Sequence, residues 1–135
     1  MPNPITTTLG GVSKGNYDLI RKHYRKLGIK ILVDGIHIRP GKPIIIGQIG
    51  KKLIFCLPGN PISSIVCARL FIVTLIRKML SGNDKELLTQ KAFLSEDIKI
   101  AKSQREHYMR AFKFQKGTTI FVKPFSKQDL SLIHI

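Results

Sequence analysis

The chain has 135 residues, enough for one core or parts of two and too few for a large multidomain enzyme. Hydrophobic residues at 43% and charged residues at 23% exclude wholesale disorder. The formal charge of +15, from 23 Lys+Arg against 8 Asp+Glu, favours anionic partners such as nucleic acid, acidic lipid or a phosphorylated small molecule, and does not choose among them.

A glycine-rich turn comes first, Gly10-Gly11-Val12-Ser13-Lys14-Gly15. Leu19, Ile20, His23, Tyr24 and Leu27 then share one face at helical spacing. Asn16 as N-cap, Asp18 in the first turn, Arg25 and Lys26 in the last and Gly28 just beyond predict where that helix starts and stops. A strand is predicted over Lys30–Val33, then a hairpin of Pro43–Gln48 with Lys51–Leu57 turning near Gly50. Asn60 and Pro61 suit the N-cap and first position of a second helix, running to about Leu80 and stopping at Gly82. Its near-continuous apolar surface predicts burial. Arg69, Arg77 and Lys78 interrupt that stretch too often for a membrane span, and Met1–Thr8 lacks a signal-peptide pattern, so a soluble, cytoplasmic chain is expected. Cys56 and Cys67 lie in apolar runs without metal-ligand spacing and read as core residues in a reducing compartment.

After Ser81-Gly82-Asn83-Asp84 the pattern changes to strands, predicted at Phe93–Ala101, His107–Gln115 and Thr118–Lys123, the last two joined at Lys116-Gly117. Arg110, Phe112 and Phe114 fall on one face; Met109, Ala111 and Lys113 fall on the other. Three such strands make a poor domain alone. The expected organisation is therefore an α/β unit over 1–82 with its N-terminal strands missing, and the beginning of an all-β unit over 83–129. Leu130-Ser131-Leu132-Ile133-His134-Ile135 can be written codon for codon as a transposon-end sequencing adapter. We read it as an assembly scar, expect the frame to continue past Asp129, and leave the tail out of fold reasoning.

Three turns have a physical reason to surround an anion. In the first, Gly10, Gly11 and Gly15 permit close backbone approach and Ser13 supplies a hydroxyl ahead of a helix N-terminus. In Arg39-Pro40-Gly41-Lys42-Pro43, Arg39 can grip a phosphate with two hydrogen bonds and Lys42 acts as a point charge. In Leu57-Pro58-Gly59-Asn60-Pro61, followed by Ser63 and Ser64, free N–H groups at a second helix start are expected to face an anion. Any one of these turns is more often merely a turn. The glycine spacing matches neither the dinucleotide fingerprint nor the P-loop, so the residues alone give an anion-binding α/β module.

Taken together, in this order and spacing, the three turns closely resemble the molybdopterin molybdenumtransferase family, including the gephyrin E domain. The resemblance is strong from Thr8 to about Gly82 and weaker through Arg105–Ala111 and Gln128-Asp129. It implies a partial three-layer α/β molybdopterin-binding fold followed by the start of a small β domain. It also implies a dimeric, cytosolic enzyme that takes adenylylated molybdopterin and molybdate, with Mg²⁺, and releases the molybdenum-charged cofactor and AMP. By position, Gly10, Gly11, Ser13 and Gly15 would contact the phosphate or pterin. Asp18 would face metal or molybdate, and Arg39 and Lys42, with Pro40 and Gly41 between them, would hold anionic oxygens. Pro58, Gly59, Asn60, Pro61, Ser63 and Ser64 would form another wall.

Leu9 departs from the family, which has Ser or Thr before the glycine pair, and Met1-Pro2-Asn3-Pro4 does not read as the buried strand that should deliver the first turn. No role is expected for His23, His37 or His107. Two other classes remain open: a small basic nucleic-acid-binding protein, disfavoured because the cations are scattered, and a non-catalytic pterin-binding module.

Overall fold

The computed structural model of the protein describes residues 4–12, 17–81, 89–99 and 103–125. The proposed boundary at 82/83 and the tail 130–135 lie outside them.

The first turn is delivered by a strand after all. β1 (Ile5–Leu9) pairs in parallel with β5 (Lys52–Leu57) over five positions, from Ile5↔Leu53 to Leu9↔Leu57. Ile5 and the run Thr6–Thr8 are β-branched, which suits an exposed edge strand even without an apolar alternation to announce it. Leu9 is 72% exposed, so its departure from the family leaves the core untouched.

Helix α1 (Tyr17–Lys26) and strand β2 (Lys30–Asp34) follow as expected, and Arg21 of α1 forms a two-pronged ion pair with Asp34 of β2 at 2.7 and 2.6 Å. After the two-residue strand β3 (Ile38–Arg39), β4 (Ile45–Ile49) and β5 make the predicted antiparallel hairpin. The sheet order is β1-β5-β4-β2, with β2 antiparallel to β4. Both faces of this sheet are covered. Ile44, Ile46, Phe55 and Leu57 pack with Ile38 and Cys67 on one side. Ile45 and Cys56 pack with Val12, Tyr24 and Ile29 on the other. Burial on both faces explains the uninterrupted apolar runs Ile44-Ile45-Ile46 and Phe55-Cys56-Leu57. The arrangement is the expected three-layer α/β fold, with α1 on one face and the second helix on the other.

That second helix runs through α2 (Pro61–Cys67), a π-helical segment (Ala68–Val73) and α3 (Thr74–Ser81). It is not buried as predicted. Only Ser63 and Cys67 of α2 are fully buried, while Ile65, Met79 and Leu80 are 69%, 52% and 83% exposed. A helix lying on a sheet can bury one stripe, and this helix is apolar on more sides than the sheet can cover. The Asn60 side chain caps its start by accepting from the amides of Ile62 (3.1 Å) and Ser63 (3.2 Å). Asn60→Ala is expected to cost about 1 kcal/mol in denaturant unfolding, and Asn60→Asp much less; equal losses would remove the cap from the account.

The C-terminal part departs further from expectation. Of the strand predicted over Phe93–Ala101, only β6 (Phe93–Leu94) forms within residues 93–99, Ile100 and Ala101 lying outside the described residues, and the one over His107–Gln115 divides into β7 (Glu106–His107) and β8 (Ala111–Lys116). The division has a tertiary cause: β7 pairs in parallel with β3, whereas β8 pairs with β9 (Thr119–Pro124) in the expected hairpin. The predicted aromatic face holds. Phe114 stacks on Phe121 at 5.7 Å, and Phe112 lies 4.3 Å from Phe125 with Arg110 over the same ring.

Candidate functional site

Parallel pairing brings the C-terminal ends of β1 and β5 side by side. The Gly10 amide donates to the Leu57 carbonyl at 3.0 Å. A side chain on Gly59 would stand 3.4 Å from the Gly10 Cα, so the first and third turns touch through glycine backbone. Because β4 runs antiparallel to β5, the Arg39–Pro43 turn that precedes β4 arrives at the same end of the sheet. Open α/β sheets bind ligands at this end of their parallel strands.

The turns enclose a cleft of about 480 Å³. Arg39, Pro40, Gly41 and Lys42 line one side, and Pro58, Gly59, Asn60 and Ser63 line the other. Val12 of the first turn also belongs to the lining, and Gly10 stands against Gly59. Pro61 is exposed and not among the lining residues. The Ser64 hydroxyl donates to the carbonyls of Pro58 and, at 3.1 Å, of Asn60, so it braces the turn from within. Ser13 and Gly15 lie outside the described residues. Asp18 is placed in the first turn of α1, with its side chain outside the described set.

Arg105 also lines the cleft, and the sequence reading did not select it. The β3–β7 ladder carries it there. Glu106 donates its amide to the His37 carbonyl at 2.9 Å, and Tyr108 donates to Arg39 at 2.9 Å. The segment Arg105–Ala111 held the signal, but only the pairing with β3 shows which of its residues reaches the turns.

One expectation for the third turn is overturned. The amides at the start of α2 are already engaged: Ile62 and Ser63 by the Asn60 side chain, and Ser64 by the Asn60 carbonyl at 2.9 Å. That helix start is internally capped, so among the described residues the charge at the cleft comes from Arg39, Lys42 and Arg105. No carboxylate is present in the described lining. Among the described residues no group of three His, Cys, Asp or Glu is placed to hold a metal ion. This donor set fits oxyanions and does not by itself fit Mg²⁺.

Two buried thiols stand behind the turns. Cys56, 2% exposed, directs its Sγ to the Gly10 carbonyl at 3.6 Å. Cys67, fully buried, directs its Sγ to the Gly41 carbonyl at 3.5 Å. Both are free core cysteines, as expected. Burial pushes the Cys67 thiol up to about 11. Burial, followed by the neighbouring Cys56, pushes the Tyr24 phenol up to about 12. Both folded-state values lie above the ordinary ones, so their contribution to stability is complete below pH 9. It is lost as the pH rises through about 11 to 12. Thermal melts should therefore fall steadily above pH 9 and respond little to these groups between pH 7 and 9; a midpoint unchanged at pH 11 would contradict this.

Comparison with known proteins bears directly on this cleft. A family profile described as "Probable molybdopterin binding domain" matches residues 5–78, which carry all three turns. The chain belongs to this molybdopterin-binding family. It is similar to the molybdopterin molybdenumtransferase of Bacillus subtilis, 32% identical over 91 residues, covering 67% of this chain and 21% of that protein. It is similar also to the Synechocystis enzyme of the same name, 43% identical over 60 residues, covering 43% of this chain and 15% of the relative. Gephyrin of Dictyostelium discoideum is 35% identical over 91 residues. The crystal structure of the molybdopterin biosynthesis MoeA protein from Pyrococcus horikosii matches 91% of this chain with a TM-score of 0.64 and 28% identity. This chain covers 27% of that protein, and it spans less than a third of each of these relatives. Among its described residues no helix is long and apolar enough to cross a membrane.

Proposed function

We propose that this molybdopterin-binding chain supplies part of the active site of a molybdopterin molybdenumtransferase, which inserts molybdenum into adenylylated molybdopterin. The observation that carries the proposal is the meeting of three sequence-remote turns around one cleft whose charged side chains, among the described residues, are all cations. Adenylylated molybdopterin and molybdate are both anions. A cleft holding Arg39, Lys42 and Arg105 lowers their mutual repulsion and fixes their relative position, the main requirements for exchanging ligands between them. Arg39 and Arg105 can each engage two oxygens of a phosphate or molybdate, and Lys42 adds a mobile point charge.

Mg²⁺ belongs to the same proposal through Asp18, but the described lining offers a hard cation no carboxylate, so no step is assigned to a metal. The reading extends to a homodimeric, cytoplasmic enzyme built from a longer chain. To test it, the chain is expressed in cells that make molybdopterin, purified, and oxidised so that bound pterin becomes fluorescent. Wild-type protein should yield a stoichiometric pterin signal, and Arg39→Ala/Lys42→Ala should yield little. A wild-type sample without pterin would refute the assignment.

A further inference from the structure

Each thiol behind the cleft holds the carbonyl of a turn glycine, and at the second turn the consequence is specific. The Gly41 carbonyl accepts from Cys67 Sγ at 3.5 Å and from the Ile44 amide at 3.3 Å, so two donors hold it toward the core. A peptide group is planar, and in the trans form its N–H points opposite to its C=O. The Gly41–Lys42 peptide is trans. Fixing its carbonyl inward therefore aims the Lys42 amide away from the core, and Gly41 and Lys42 are both lining residues of the cleft. Among the described residues that amide has no acceptor. Cys67 sits one helical turn after Ser63, another lining residue, and the two are the buried residues of α2. The fit at Gly41 is tight: φ is +117°, and a Cβ there would stand 2.7 Å from Cys67 Sγ.

We propose that Cys67 is a positioning residue of the anion cleft, holding the Gly41–Lys42 peptide so that the Lys42 amide donates to a bound oxyanion. The proposal rests on the anion-binding reading of the cleft and adds a backbone donor to the cations Arg39, Lys42 and Arg105. A thiol suits the task because it is a small, compressible hydrophobe with one weak donor, and its raised pKa keeps the proton in place at neutral pH.

The test uses the full chain with inorganic pyrophosphate as probe, followed by calorimetry and by the ¹⁵N–¹H resonance of Lys42. Cys67→Val removes the donor and presses on Gly41, whereas Cys67→Ser keeps a donor. The wild type should bind pyrophosphate with a large downfield shift of the Lys42 amide. Cys67→Val should bind roughly tenfold more weakly and lose that shift, and Cys67→Ser should retain both, in line with the loss of one hydrogen bond to a charged group. Wild-type affinity and shift in Cys67→Val would overturn the proposal. So would equal weakening in both variants that tracks their melting temperatures, since that is the signature of a merely structural residue. If the wild type itself binds no pyrophosphate, the anion-cleft reading fails and takes this one with it.

Discussion

Gly41→Ala is expected to lower the thermal midpoint by roughly 10 °C and to abolish anion binding in whatever protein remains folded. Two costs add. Gly41 has a φ of +117°, a region that residues with a Cβ rarely occupy. The new methyl would also lie 2.7 Å from Cys67 Sγ and 2.9 Å from Ile38 Cδ1, both in the packed core on that face of the sheet. Overpacking of this kind costs about 1–3 kcal/mol, and the backbone strain adds about 1–2 kcal/mol. A turn that relieves the clash by rising off α2 would part Arg39 and Lys42 from Asn60 and Ser63, which line the same cleft. A midpoint within about 2 °C of wild type would mean that the turn tolerates the change, and the geometry described for it would be wrong.

Arg39→Ala with Lys42→Ala should show the opposite profile, with binding of pyrophosphate or pterin falling about 100-fold and the melting temperature barely moving. Both side chains are exposed, so removing them disturbs no packing. Each supplies charge-assisted contacts to an oxyanion, and the loss should shrink as salt rises because exposed charges are screened. Arg39→Lys should recover only part of the affinity, since an ammonium cannot reproduce the paired geometry of a guanidinium. Equal affinity in the double variant would show that the anion binds elsewhere and would remove the basis for the proposed function. The two experiments separate shape from charge: one variant ruins the turn with its cations intact, the other removes the cations from an intact turn.

Much of the first three-quarters of the fold was legible in local sequence. Asn60 and Pro61 announced the start of α2, and the apolar runs flanking Gly50 announced a hairpin, because capping and turn preferences act over a few residues. Edges and faces were harder to read. β1 was missed because an exposed edge strand of threonines carries no hydrophobic period, and its pairing with β5 is decided by residues far away in the chain. The long helix was read as buried because apolar content does not say how much of a helix a sheet can cover.

The candidate site divides along the same line. The sequence by itself determined the three turns and the residue types on them, since glycine, proline and paired cations in short motifs reflect backbone geometry and charge that are local properties. It also determined the family, because the order and spacing of those motifs are read along one dimension. Only the tertiary structure decided that β1 and β5 run parallel so that Gly10 meets Gly59, and that the β3–β7 ladder brings Arg105 to Arg39 and Lys42. It also showed that Asn60 closes the α2 amides and that Cys67 stands beneath Gly41. Those facts depend on contacts between segments remote in sequence, and their energies arise only once the sheet has assembled.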